Sequence, residues 1–265
     1  MTTLIADSHK FFLSPSGAYQ KHNGDYNSNI TFSLPNAYKA SNNIIYATAR
    51  IIHAEIPNSF YIVNEYNNVL HTSFGSFTIP EGNYNANSLM TYLKTVFPSN
   101  VSVSFLNTTG KFVISSANMA FSILGTSTCG ILMGFNNGSA YSSSNISGTN
   151  MLTMPFPANL YGTKNIYIRI PELVLDNLNT TTGDRFTIAN IPKNVSPYGV
   201  ILYHNSANSC SVIKNDLKGL DTNLRVELLD DQMNYIDFNN IEWSITLQFD
   251  FYIGLSNIRE NYTLT

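Results

Sequence analysis

The sequence predicts a mostly β protein of the sandwich or jelly-roll class, and three observations carry that prediction. Short segments that alternate apolar and polar residues recur at roughly 8–12-residue spacing between turn signals. Helical periodicity is confined to one stretch, and no Gly-x-Gly-x-x-Gly follows a strand to mark a dinucleotide fold.

A chain of 265 residues can bury a substantial core without disulfides or metals. Hydrophobic residues make up 43% and charged residues only 12%, about half the usual share. The polar surface must then come from Asn, Ser and Thr, which suit close protein–protein contact better than a dense shell of charge. An AT-rich genome would also enrich Asn, Ile and Tyr, but Lys, which should rise with them, is not abundant. The net charge is −3, and the 14 basic residues are scattered with no block of five. That pattern argues against a general phosphate-binding role and predicts no specific nucleic-acid partner.

From the N-terminus, residues 1–27 read as a flexible arm: Pro15, Gly17 and Gly24 sit among polar residues, with one apolar cluster at Phe11-Phe12-Leu13. Asn29–Leu34 is the first strand signal, stopped by Pro35. The β-rich run from Ile44 to Asn64 is expected to split into two strands at Pro57-Asn58, and Val69–Thr72 to follow as a short strand.

Residues 76–149 read as an α+β unit interrupting the strand series. FTIPEGNY is a strand closing in a turn, and Asn85 is placed to cap a helix. Leu89, Tyr92, Leu93, Val96 and Phe97 recur at spacings of three and four, and Pro98 ends the helix. VSVSF and KFVISS form a hairpin around Asn107–Gly110. FSIL is a short strand, STCGILMGF a helical turn, and 136–164 loop or linker, from its Asn, Gly, Ser and Pro content.

Strands resume at Lys164, with Ile166, Ile168 and Ile170 on one face. Phe186–Ile191, Tyr198–Tyr203, Ser211–Lys214, Asn223–Leu228 and the short Tyr235–Phe238 follow. In the last strand Trp243, Ile245, Leu247, Phe249 and Phe251 share a dry face, opposite Glu242, Ser244, Thr246, Gln248 and Asp250. Residues 28–75 and 150–265 are thus assigned to the sandwich core, and no internal repeat is detected.

None of the residues with chemical potential forms a recognisable catalytic, cofactor or metal motif. His9, His22, His53, His71 and His204 lack HxH or HExxH spacing, and His53 reads as a satisfied core or interface histidine. Cys129 lies in an apolar setting that raises a thiol's pKa; with Cys210 it makes no disulfide framework, and both are expected as buried free thiols. Asp230, Asp231 and Asp237 lack calcium-loop spacing and read as turn formers. Glu55 and Glu65 are isolated, and Tyr141 in AYSSSN reads as an ordinary loop tyrosine. The N-terminal MTTLIADSHKFFLSPSG has no long apolar core, so no signal peptide is expected. No run approaches the ~18–20 apolar residues that span a bilayer. The expected setting is a reducing cell interior, so the Asn-x-Ser/Thr triplets at Asn107, Asn145 and Asn179 read as accidents of composition.

Several stretches carry a family resemblance. They are FTIPEGNYNANSLMTYL with the VSVSFLNTTGKFVISS hairpin and ILMGF, then NIYIRIPEL and FTIANIPKN, then LRVELLDDQMNYIDFNNIEWSITLQFDF. In this order, over most of residues 28–252, they resemble the vertex (penton) capsid proteins of virophages of the mavirus-like kind and of related large double-stranded DNA viruses. The resemblance implies a single jelly roll with a small α+β insertion domain. It implies a non-enzymatic homopentamer at the vertices of an icosahedral capsid, assembled inside the host cell. Its neighbours would be the trimeric major capsid protein and minor capsid proteins, and the insertion domain would be free to meet a host-surface receptor. It carries over no catalytic, cofactor or metal residues. The alternatives are a minor capsid or spike protein, expected as a trimer or monomer, and a glycan- or receptor-binding β-sandwich.

Overall fold

The computed structural model describes residues 3–33, 44–176, 178, 183, 185–207, 209–213 and 223–254. They form two compact units, Met1–Phe60 with Thr163–Thr265, and Tyr61–Gly162. The second unit is wider on both sides than the 76–149 read from the sequence. Its strand at Val69–Thr72 pairs with Gly75–Thr78, and its strand at Thr149–Thr153 pairs with Lys111–Ser116.

Along the chain the first unit opens with β1 (Thr3–Leu13), β2 (Gln20–Lys21), β3 (Asn29–Ser33) and β4 (Ile44–Pro57). The second unit holds β5 (Val69–Thr72), β6 (Gly75–Thr78), α1 (Ala86–Val96), β7 (Val101–Leu106), β8 (Lys111–Ser116), β9 (Ser122–Ile123) and α2 (Gly130–Met133). It closes with β10 (Tyr141–Ser142), β11 (Ser144–Ile146) and β12 (Thr149–Thr153). The first unit resumes with β13 (Asn165–Arg169), β14 (Thr187–Pro192), β15 (Val200–His204), β16 (Ser211–Val212), β17 (Asn223–Leu229) and β18 (Ser244–Gly254).

The first unit is a jelly roll by its strand order. Apart from the two-residue β2 and β16, its strands are β1, β3, β4, β13, β14, β15, β17 and β18. The first pairs with the last, β3 with β17, β4 with β15 and β13 with β14, all antiparallel. This is one long hairpin of strands rolled into two sheets, β1-β18-β4-β15 and β14-β13-β17-β3. The second unit interrupts the chain between β4 and β13, the third and fourth strands of the roll.

Alternation explains the core. Ile166, Ile168, Leu224, Val226 and Leu228 from one sheet and Ile245, Leu247, Phe249 and Phe251 from the other are buried in one cluster. Large residues face small ones across strands: Phe249 is registered against Ala49 and Phe251 against Ala47. Trp243 is buried, packs edge-on to Phe32 at 6.2 Å and donates its indole N–H to the Asn27 carbonyl.

In the second unit α1 forms as expected. Asn85 Oδ1 accepts the Ser88 N–H at 2.9 Å while Ser88 Oγ accepts the Asn85 N–H at 3.0 Å, a reciprocal capping box. Leu89 and Leu93 are buried with Val103, Phe112, Ile114 and Met133 in a separate core.

Four expectations are corrected. The arm at 1–27 is largely a strand: β1 runs beside β18 from Thr3↔Gly254 to Leu13↔Ile245. The Ile44–Asn64 run holds one strand, β4, and no second strand follows Asn58; the chain instead turns so that Asn58 exchanges backbone hydrogen bonds with Tyr198 and Gly199 and buries Phe60. The 136–164 loop contains three strands: β10 pairs with β9, and Ser147 and Gly148 at φ 52° and 86° make a tight hairpin of β11 and β12. Tyr235–Phe238 is no strand, only a single bridge from Tyr235 to Leu229. The expected strand ends at Leu34 and Lys214, and the triplet at Asn179, lie outside the described residues.

Candidate interaction surface

The face of β1-β18-β4-β15 that points away from the other sheet is built in cross-strand rows. Ser8, Asp250 and Thr48 form one row, Lys10, Gln248 and Arg50 the next, then Phe12, Thr246 and His53. His204 extends the third row from β15, and Leu202 stands opposite Glu55.

The centre of this face is polar and nevertheless buried. Asp250 is 3% exposed, and Gln248, Thr246 and Thr48 are buried beside it. Asp250 accepts from Ser8 Oγ at 2.6 Å and from Gln248 Nε2 at 2.7 Å, with Arg50 Nη2 3.4 Å away. Neighbouring side chains supply the hydrogen bonds that a buried carboxylate requires. The sequence assigns this strand one dry face; cross-strand partners also bury Thr246, Gln248 and Asp250 on the other.

The margins are apolar and open. Phe12 is 81% exposed, Val200 52%, Leu202 59% and Tyr198 78%. Ile5, near the far end of β1, is exposed too, while Tyr46 and Tyr252 stack there at 4.4 Å. Beyond β1, no strand pairs with its outer edge among the described residues.

The sequence candidates fall out as follows. Cys129 is buried with its thiol pushed up to about 12 by desolvation, its Sγ 3.8 Å from Met133 Sδ. At neutral pH it is a protonated packing group. Cys210 is exposed, not buried, on a strand margin where it lines a cavity of 210 Å³ with Ile51, Ile188 and Tyr203. Asp230 accepts the Gln232 and Asn234 N–H groups at 2.8 and 2.9 Å, an Asx turn; its burial raises its pKa, opposed by those hydrogen bonds. Asp231 accepts from the Lys164 and Asn165 backbone, and Asp237 from the Asn239 N–H at 2.7 Å.

Glu65 lies in a turn, and Tyr141 is half-buried with its ring 5.9 Å from Phe135. His9 sits 2.8 Å from Asp7, His22 2.8 Å from Thr31 and His71 2.7 Å from Ser76. His53 and His204 come together, and His53 is on the outward sheet face instead of in the core. A second ion cluster, Glu227 with Arg169 and Arg225 at 3.1 and 3.0 Å, escaped the sequence reading because its members lie on different strands or on alternate positions of one.

No family model and no curated protein matches the chain. Among solved structures it is similar to the mavirus penton protein, at 10% identity and a TM-score of 0.46 over 92% of this chain and 99% of that one. It is similar to a chain of the Sputnik virophage, at 9% identity and a TM-score of 0.42 over 92% and 98%. A third likeness is to VP17, a capsid protein of bacteriophage P23-77, at 10% identity and a TM-score of 0.20 over 96% and 100%.

Proposed function

We propose that this chain is a structural capsid protein whose copies pack side by side as the homopentameric vertices of an icosahedral double-stranded DNA virus or virophage. Its neighbours in that role are the trimeric major capsid protein and minor capsid proteins. The observation that carries the reading is the outward face of β1-β18-β4-β15. The Asp250 carboxylate at its centre is already hydrogen-bonded by Ser8 and Gln248 and paired with Arg50, and its margins offer Phe12, Val200, Leu202 and Tyr198. Docking there removes apolar area from water without stranding a buried charge.

A second copy of the chain is the occupant this reading selects. Identical subunits joined by a head-to-tail contact that closes by rotation make a ring. A charged fraction of 12% lowers the repulsion between them. The family resemblance over residues 28–252 supplies the fivefold symmetry. The reading is non-enzymatic: the Cys129 thiol is protonated and sealed, and Asp230 and Asp237 are engaged in turns.

The test is a double substitution, Val200→Lys with Leu202→Glu, at two exposed positions. The wild-type assembly is expected to fall to single chains in sedimentation velocity while the melting temperature stays within a few degrees. An unchanged assembly would show that this face is not the contact.

A further inference from the structure

We propose that His53 and His204 form the protein half of a binding site for a nitrogen-preferring divalent metal ion of the zinc, nickel or copper class. The two residues are a cross-strand pair of β4 and β15, 151 positions apart in the chain. Their rings lie 4.5 Å apart between centroids, and Nδ1 of one is 3.3 Å from Nδ1 of the other. Two imidazole nitrogens that each sit about 2.0–2.1 Å from a tetrahedral ion are separated by about 3.3 Å. The pair is therefore already at chelating distance.

The far side of His53 is held as metal-bound histidines are held. Its Nε2 faces Glu55 Oε1 at 3.2 Å. A proton on Nε2 donated to that carboxylate leaves Nδ1 as the acceptor nitrogen of the ring, 3.3 Å from His204 Nδ1, the carboxylate–histidine–metal pattern. The backbone sets the orientation. Thr246 is registered with His53 but Leu247 with Ile51, so Ile52 is an extra residue in β4. This bulge lets Ile51 and Ala54 both point into the core and turns His53 outward. The Ile52 carbonyl accepts the Asn205 N–H at 3.1 Å, which ties the bulge to the residue after His204.

The donor set selects the ion. Neutral imidazoles suit zinc, nickel and copper, whereas magnesium and calcium require oxygen ligands. No group of three His, Cys, Asp or Glu side chains converges on one point among the described residues. The remaining coordination positions thus go to water or to a group from another molecule, and affinity is lower than at a closed three- or four-ligand centre. The inference rests on this geometry and not on the capsid reading.

The test is isothermal titration of zinc chloride into the full chain without a histidine tag, at pH 7.5 and pH 5.5. A saturable site of one ion per chain or per two chains is expected at pH 7.5. Binding is weaker at pH 5.5, because protons compete with a metal ion for imidazole nitrogen. His53→Ala and His204→Ala are each expected to weaken binding at least 10-fold. Glu55→Gln should weaken it about 10-fold, as an outer partner does. His71→Ala should leave it unchanged, and magnesium chloride in place of zinc chloride should give no saturable heat. All three positions near the site are half-exposed or exposed, so each variant is checked for an unchanged melting temperature. No saturable binding at millimolar zinc, or equal binding by wild type and both histidine variants, would overturn the proposal.

Discussion

Arg50 reaches from β4 to Asp250 on β18, with Nη2 3.4 Å from Oδ2, on the outward face of the sheet. The Asp250 side chain is 5% exposed and the Arg50 side chain 20%. Removing the carboxylate takes away the acceptor shared by Ser8 Oγ and Gln248 Nε2 and the ion-pair partner of Arg50. Asp250→Ala is expected to cost about 3 kcal/mol, the low end for a broken buried pair because Arg50 keeps some water. Urea unfolding checks this; a loss under about 0.5 kcal/mol, typical of surface sites, would contradict it.

Phe249 has room because Ala49 stands opposite it. Ala49→Leu forces extra methylenes into a filled core and is expected to destabilise by about 1–3 kcal/mol. Ala49→Gly tests the same contact from the other side and should also destabilise, through strand entropy.

The helix cap of the second unit makes a smaller, separable prediction. Asn85→Ala removes the acceptor of the Ser88 N–H and is expected to cost about 1 kcal/mol. Thermal unfolding followed by α-helical circular dichroism reads it out, and an unchanged transition would contradict the capping role.

The two thiols should differ sharply. Cys129 is buried and its pKa, raised by desolvation to about 12, keeps it protonated at pH 8, whereas Cys210 is exposed. A thiol reagent at pH 8 is expected to modify one cysteine in the folded chain and two after denaturation. Rapid modification of both in the folded state would refute the sealed core around Cys129.

Residue patterns exposed much of this fold and hid the rest for identifiable reasons. The β18 alternation and the Asn85–Phe97 helix were legible because each buries a continuous face with its own period. In β4 the period breaks at the Ile52 bulge, so His53, which reads as a core or interface histidine, points outward from the sheet. β11 and β12 were hidden by Ser and Asn, and only Ser147-Gly148 marked their turn. β1 reads as part of an arm because Pro15, Gly17 and Gly24 follow it among polar residues and its pairing partner lies at the other end of the chain. Such long-range pairing also brings His53 to His204 and Arg50 to Asp250, and no spacing motif records it.

The most direct measurement is the absolute mass of the purified chain by light scattering after size exclusion, repeated across concentrations. The account predicts a species of five times the 29.5 kDa chain mass, favoured as concentration rises. A stable trimer would move the assignment to a spike or minor capsid protein, and a strict monomer at the highest concentration would contradict self-assembly through this face.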